Sequence, residues 1–257
     1  MNTEIKSFKL TLDGLLSKNI NLPLDKLKEE IKADFWHYTD MQATLSIAEN
    51  LELWFGKMSN CNDIIETELH KTDANFIHIA SFCNSNTEQI PLWYLYSGLK
   101  GDGAALRLTP VTMIKFLDSL ETVKTSEGNT LHRGKDFDLF YGWVYYIKHS
   151  DNCENFSVKY KGEWNSFDDW NTFIDNNYFV KDYPWEYEKE FRIVIKNKTK
   201  TSYDRIIAKL PSVKRGIDVK CAPGAENVES LQINVGGVHN KPAMTSKLKI
   251  KWKFNEN

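Results

Sequence analysis

The chain has 257 residues, 41% of them hydrophobic, with 33 Lys+Arg against 35 Asp+Glu, which is the composition of a globular protein and not of a disordered one. No run of about 18 apolar residues is present, and the opening MNTEIKSFKLTLD alternates polar and apolar residues where a leader would be basic and then apolar. The expectation is a cytoplasmic, unprocessed protein with no membrane partner. LDKLKEEIKA (24–33) has helical spacing behind Pro23, and FWHYT (35–39) reads as a short strand. Thr39 and Gln42 have capping-box spacing, predicting a helix over MQATLSIAEN. LELWF (51–55) is the next strand, and CNDIIETELH (61–70) a polar-faced helix. FIHIASF (76–82) is a buried strand, and PLWYLYSG (91–98) a short helix ended by Gly98. GAALRL (103–108) is a strand, VTMIKFLDSL (111–120) a helix, YGWVYYI (141–147) a strand and WNSFDDWNTFIDNN (164–177) a helix. EFRIVIK (190–196) alternates, with Phe191, Ile193 and Ile195 on one face and Glu190, Arg192 and Lys196 on the other. DRIIAKL, GIDVKCA and KLKIKWKF add strands, with ENVESLQ (226–232) a short helix between them.

Irregular interleaving of helices with amphipathic strands predicts an α+β fold on a curved, largely antiparallel sheet. No linker or repeat divides the chain, so residues 1–33 are read as an N-terminal helical extension and 34–257 as a single domain. Neither GxGxxG nor GxxxxGK[ST] occurs. Cys61, Cys83, Cys153 and Cys221 lack CxxC spacing, which gives neither a zinc knuckle nor a disulfide framework. The net charge of -2 argues against a nucleic-acid partner, but it conceals an asymmetry. Residues 192–257 carry 14 Lys/Arg and 5 Asp/Glu, against 19 and 30 in residues 1–191. Aromatic residues are abundant, with 14 Phe, 11 Tyr and 8 Trp.

Four segments could carry chemistry. Trp36-His37-Tyr38-Thr39 crowds an imidazole with two aromatics, although a strand histidine is commonly a structural hydrogen-bonding residue. Ser81-Phe82-Cys83 ends an apolar strand, where a serine often caps a turn; Cys83 has no local base to make it a nucleophile. Trp93 and Tyr96, at helical i and i+3, present adjacent rings either to the core or to a planar heterocycle. In Trp185-Glu186-Tyr187-Glu188-Lys189-Glu190-Phe191-Arg192, a strand starting by residue 188 puts Glu188, Glu190 and Arg192 on one face. That face is either solvated, with Arg192 neutralising Glu190, or a carboxylate aimed at a developing cation. Glu66 and His70 share a predicted helix face, but two ligands do not make a metal site, and none is expected. Asn62 and Asp63 are read as helix-capping or bracing residues.

The order of these segments, HYT, an ND turn with Glu66, SFC, LWYLYSG, then K-D-x-x-W-x-x-E-x-E-F-R, resembles a widespread prokaryotic domain-of-unknown-function family. The match runs from about Phe35 to Ile195 and on through CAPGAENVESL. That family remotely resembles the ADP-ribosyltransferase fold, a split sheet with flanking helices. The resemblance implies NAD as co-substrate, without a metal. It implies that His37 contacts the adenosine ribose, that Tyr38 and Thr39 beside it bind NAD, and that Ser81, Trp93 and Tyr96 line a nicotinamide pocket. It implies Glu190 as the catalytic carboxylate and Glu188 as the upstream residue that orients the acceptor. Thr39 after the His-Tyr pair, and the lack of a Ser-Thr-Ser triplet, depart from the better-known patterns.

Glycosidic cleavage of this kind passes through an oxocarbenium-like state in which hydrogen bonds to the ribose 2-OH tighten. The leading expectation is therefore an NAD-dependent ADP-ribosyltransferase acting on a protein or nucleic-acid acceptor. The resemblance also implies a toxin or anti-phage defence role and a restraining antitoxin or regulatory protein. The basic C-terminal quarter could hold an anionic acceptor, or Lys247, Lys249, Lys251 and Lys253 could simply form a solvent face. Alternatives are an NAD glycohydrolase and a catalytically inactive binding module.

Overall fold

Residues 190–196, expected as a strand with one polar face, form a strand that runs to Asn197 and is buried along almost its whole length. The cause is a sheet in which this strand is flanked on both edges and covered on both sides. The computed structural model describes residues 20–63, 73–96, 103–147, 157–160, 163–166, 177–212, 215–225, 231–237, 239–246 and 248. In chain order the elements are α1 (Leu24–Glu30), β1 (Phe35–Asp40), α2 (Met41–Asn50), β2 (Glu52–Lys57), β3 (Ile77–Asn84), α3 (Ile90–Tyr96), β4 (Gly103–Leu108) and α4 (Pro110–Asp118). There follow β5 (Thr122–Thr125), β6 (Thr130–His132), β7 (Phe137–Trp143), β8 (Tyr145–Ile147), β9 (Ser157–Tyr160), β10 (Glu163–Ser166) and β11 (Val180–Asp182). The last are β12 (Glu190–Asn197), β13 (Arg205–Lys209), β14 (Ile217–Cys221), β15 (Gln232–Val235), β16 (His239–Pro242) and β17 (Met244–Thr245).

The result is a mixed α+β fold on a mostly antiparallel eleven-stranded sheet. β12 lies between β7 and β3, with Arg192 opposite Gly142 and Ser81. The other edge of β3 is shared by two strands. β1 pairs with it only at Phe35↔Asn84 and Trp36↔Cys83, and β2 only at Gly56↔Ile79 and Lys57↔His78. Between those contacts Ala80, Ser81 and Phe82 have no strand beside them on that edge. The sheet therefore divides into one wing through β1, β4, β14 and β17 and another through β2, β13, β5 and β6.

Phe191, Ile193 and Ile195 enter the main core with Ile47 and Ala48 of α2 and Met113, Phe116 and Leu117 of α4. Val194, on the other face, packs in a second cluster with Met58, Ile77, Phe179 and Val180. Residues 20–33, read as an extension, are docked onto this body. Ile20 bridges Gly142, the Asn21 N–H donates to the Tyr141 carbonyl at 2.7 Å, and Leu27 and Ile31 join the main core. Burying one such leucine is worth about 1.5–3 kcal/mol, so this segment contributes directly to stability.

Several local expectations change. The N-cap of α2 is Asp40, whose Oδ1 accepts from the Ala43 N–H at 2.7 Å, because β1 runs one residue past Thr39. The strand expected at 141–147 breaks at Val144, whose N–H donates to the Glu190 carbonyl, and the chain turns so that β8 pairs with β11 in parallel. Residues 163–166 form a hairpin strand with 157–160 where a helix was expected, and Gln232 opens a strand instead of ending a helix. The hairpins β5–β6 and β15–β16 were not anticipated. The expected segments 64–70, 167–176, 226–230 and 249–254 lie outside the described residues, as do Gly98 and Lys247.

The charge asymmetry of the chain also acquires a structural meaning. Lys198 pairs with Asp138, Lys209 with Glu52, Lys220 with Glu88 and Arg192 with Glu190. Cations of the basic quarter thus meet acids of the preceding 191 residues inside the same molecule.

Candidate active site

A cavity of about 300 Å³ opens where the sheet splits. Its walls come from β1 (Trp36, His37, Tyr38), from Ile79–Cys83 of β3, from Leu92 and Tyr96 of α3, and from Lys181, Glu188, Glu190 and Arg192. The Ser81 carbonyl, left without a strand partner by the split, lies 2.8 Å from His37 Nδ1. A carbonyl only accepts, so Nδ1 carries the proton. Burial lowers the imidazole pKa, against the opposing effect of that hydrogen bond, and the ring is neutral with Nε2 as an acceptor.

At the other side of Ser81 stands a buried charge cluster. Arg192, 1% exposed, grips Glu190 in a two-point contact: Nε to Oε1 at 2.7 Å and Nη2 to Oε2 at 2.9 Å. Its remaining Nη1 donates to the Tyr178 carbonyl at 2.6 Å. The Ser81 hydroxyl donates to Glu190 Oε1, and Lys181 Nζ lies 3.6 Å from Oε2. Burial alone would raise the Glu190 pKa, but Arg192 and Lys181 outweigh it and hold the carboxyl at about 2. Glu190 is therefore an ionised carboxylate that is itself only 3% exposed. Oε1 has two donors and Oε2 one close donor, so the remaining acceptor capacity sits on Oε2. The backbone fixes this geometry, since the Glu190 N–H donates to the Tyr146 hydroxyl at 2.9 Å.

Glu188 reaches the same cluster by another route than strand periodicity. β12 begins at Glu190, and Glu188 ends a 3-10 turn spanning Tyr183–Glu188. Lys189 between them has φ 45°, a left-handed conformation that turns both carboxylates toward one cavity. Such a conformation costs a non-glycine residue roughly 1–2 kcal/mol. Lys189→Gly is accordingly expected to leave stability unchanged or raise it by about 1 kcal/mol, set against glycine's greater chain entropy. A denaturant midpoint that falls on this substitution would contradict the strain.

Glu188 is 5% exposed, with Oε2 bound to Lys181 Nζ at 2.5 Å and Oε1 without a hydrogen-bond partner among the described residues. Burial, with Glu190 adding to it and Lys181 opposing, pushes its pKa up to about 7. A carboxyl whose folded pKa lies above its unfolded value stabilises the fold below the unfolded pKa and loses that contribution as pH rises through the folded one. The melting temperature of Glu188→Gln relative to the native protein should therefore climb between about pH 5 and about pH 8. A flat difference between the two melting curves would place Glu188 in an ordinary environment.

Of the residues expected at a site, His37, Tyr38, Ser81, Tyr96, Glu188 and Glu190 line one cavity; Thr39 and Trp93 do not. Trp93 is 1% exposed and packs edge-on against Tyr38 at 4.7 Å, with Nε1 donating to Glu88 Oε2 at 3.2 Å. It stands behind the wall and not in it, because its helix face turns to the core. Thr39 lies farther along β1, opposite Ala104. The solvated-face alternative for Glu190 and Arg192 fails on burial, although their pairing holds. Burial, opposed by Lys189 and aided to a smaller extent by Glu188 and Glu190, pushes the Cys83 thiol up to about 12, which disfavours the thiolate a nucleophile needs. Lys181 was given no role from sequence, although it opens the K-D-x-x-W motif; β11 and β8 bring it in. Trp54 and Gly56 were also missed, and their period-two spacing on β2 was the available signal.

Among the described residues, no group of three or more His, Cys, Asp or Glu side chains is placed to hold a metal ion, and Glu66 and His70 lie outside them. No described helix is long and apolar enough to cross a membrane. No family model matches the chain, and neither a curated protein nor a solved structure does.

Proposed function

We propose that this protein has an ADP-ribosyltransferase-like fold and cleaves the nicotinamide–ribose bond of NAD, transferring ADP-ribose to a macromolecular acceptor. The observation that carries the reading is Glu190, a carboxylate kept ionised in a buried cluster at the split of the sheet, within a cavity that aromatic rings also line. An ionised carboxylate that accepts from the ribose 2-OH stabilises positive charge as it develops on the sugar. Tyr96 and Tyr38 supply flat walls for nicotinamide, and neutral His37 offers Nε2 to a ribose hydroxyl. Glu188 lies beside Glu190, where an incoming nucleophile needs a base or an orienting acceptor.

A second reading, NAD glycohydrolase, is favoured by the burial of Glu188 and its unpartnered Oε1, a setting that suits a water nucleophile better than a bulky side chain. A nucleic-acid acceptor draws little support from the basic quarter, whose described cations are largely paired within the chain. A defence role and a restraining partner rest on the resemblance alone. Purified protein is incubated with NAD and nicotinamide release is measured by chromatography. Labelled NAD with cell lysate then separates transfer from hydrolysis, since only transfer leaves label on a protein or nucleic acid. Absence of both nicotinamide release and NAD binding would favour the inactive binding module.

A further inference from the structure

The cavity lining extends beyond the carboxylates onto β2 and the turn that follows it. Trp54 and Gly56 of β2 face the cavity together, with Ile79 of β3 beside them and Asn60 and Asn62 in the turn that follows β2. Trp54 is 38% exposed, large for an indole on a central strand, and the Arg205 guanidinium covers its ring at 4.6 Å from the centroid. Arg205 is also the residue paired with Gly56 across the β13–β2 ladder. A Cβ built on Gly56 meets no atom within 4 Å. The glycine thus leaves open space on β2, two residues from the Trp54 indole with its Arg205 guanidinium and opposite Ile79 on β3, in a cavity that Asn60 and Asn62 also line.

An aromatic ring beside open space suits a heterocyclic base, because every base has a π face to stack. Asn carboxamides match the donor and acceptor edge of adenine, which a side-chain amide can engage at two points. We infer that the open space over Gly56, together with Trp54, Asn60 and Asn62, is the purine subsite that takes the adenine of NAD. This rests on the NAD-cleavage reading of the carboxylates. It gives the cavity a second subsite, in which Trp54 and Gly56 select a dinucleotide over a mononucleotide.

The test compares NAD with nicotinamide mononucleotide, which has the same reacting bond and no adenylate. Native protein should prefer NAD in kcat/KM by about tenfold or more, and Gly56→Leu and Trp54→Ala should each collapse that ratio toward one. Gly56→Leu is expected to melt with the native protein, since its side chain enters open space and glycine is not otherwise favoured in a strand. Turnover of NAD with no preference over the mononucleotide, or a preference unchanged in both variants, overturns the subsite and leaves the cleavage reading standing. If no NAD is turned over, the cleavage reading fails, and calorimetric titration with AMP decides the subsite separately. AMP binding that is lost in Gly56→Leu supports it, and no AMP binding to the native protein overturns it.

Discussion

Glu190→Gln is expected to abolish nicotinamide release, by about 10²–10³-fold at least, while the protein remains folded. The amide keeps the shape of the side chain and can still accept from Ser81 and Arg192, but it loses the charge that opposes the developing oxocarbenium ion. The fold survives because the cluster holds a second carboxyl. Burial and, in part, the negative charge of Glu190 raise the Glu188 pKa, so removing that charge favours its ionised form beside Lys181. Chromatographic assay of nicotinamide, with near-ultraviolet circular dichroism for the fold, checks both halves. Native-like spectra with retained activity would move the catalytic role to Glu188, and would support a structural function for the Glu190–Arg192 pair.

Arg192→Met should cost about 3–5 kcal/mol of stability. It strips the two-point contact from Glu190 and the donor from the Tyr178 carbonyl, leaving a buried carboxylate with Ser81 and a more distant lysine. Much of the loss comes from the stranded anion. The double variant Arg192→Met/Glu190→Gln should therefore recover a substantial part of it. Chemical denaturation of the single and double variants measures the coupling. Equal stability of the two would mean that the pair contributes nothing through its charges.

Much of the scaffold was legible because it follows from local rules. β4 was placed correctly from its apolar run, and β12 from its alternation. The helix read over 111–120 runs over Pro110–Asp118 as α4, its start set by Pro110 behind Thr109, whose hydroxyl accepts from the Thr112 N–H. The α+β class and the largely antiparallel sheet followed from irregular interleaving. The misplaced elements depended on distant partners. The apolar run breaks after Val144 because the Glu190 N–H goes to the Tyr146 hydroxyl and not back to the β7 backbone, so the ladder with β12 ends there and the chain pairs with β11. Residues 163–166 are extended because 157–160 pairs with them. Trp93 and Tyr96 illustrate the same limit within one helix. Spacing made them neighbours, but only packing against Tyr38 sent one into the core and left the other on the cavity wall.

By itself the sequence determined which residue types were on hand at the site: a histidine, a serine, aromatic rings and two glutamates separated by one residue. It also determined that Glu190 and Arg192 share one strand face, since period two depends only on the backbone pleat, but not where that strand starts. Tertiary structure decided the rest. The branching of β3 opened a cavity between two wings, the left-handed Lys189 turned Glu188 into it, and β11 delivered Lys181. Burial then separated two chemically identical carboxyls, because the balance between desolvation and nearby charge is set by distances across the fold that no local spacing encodes.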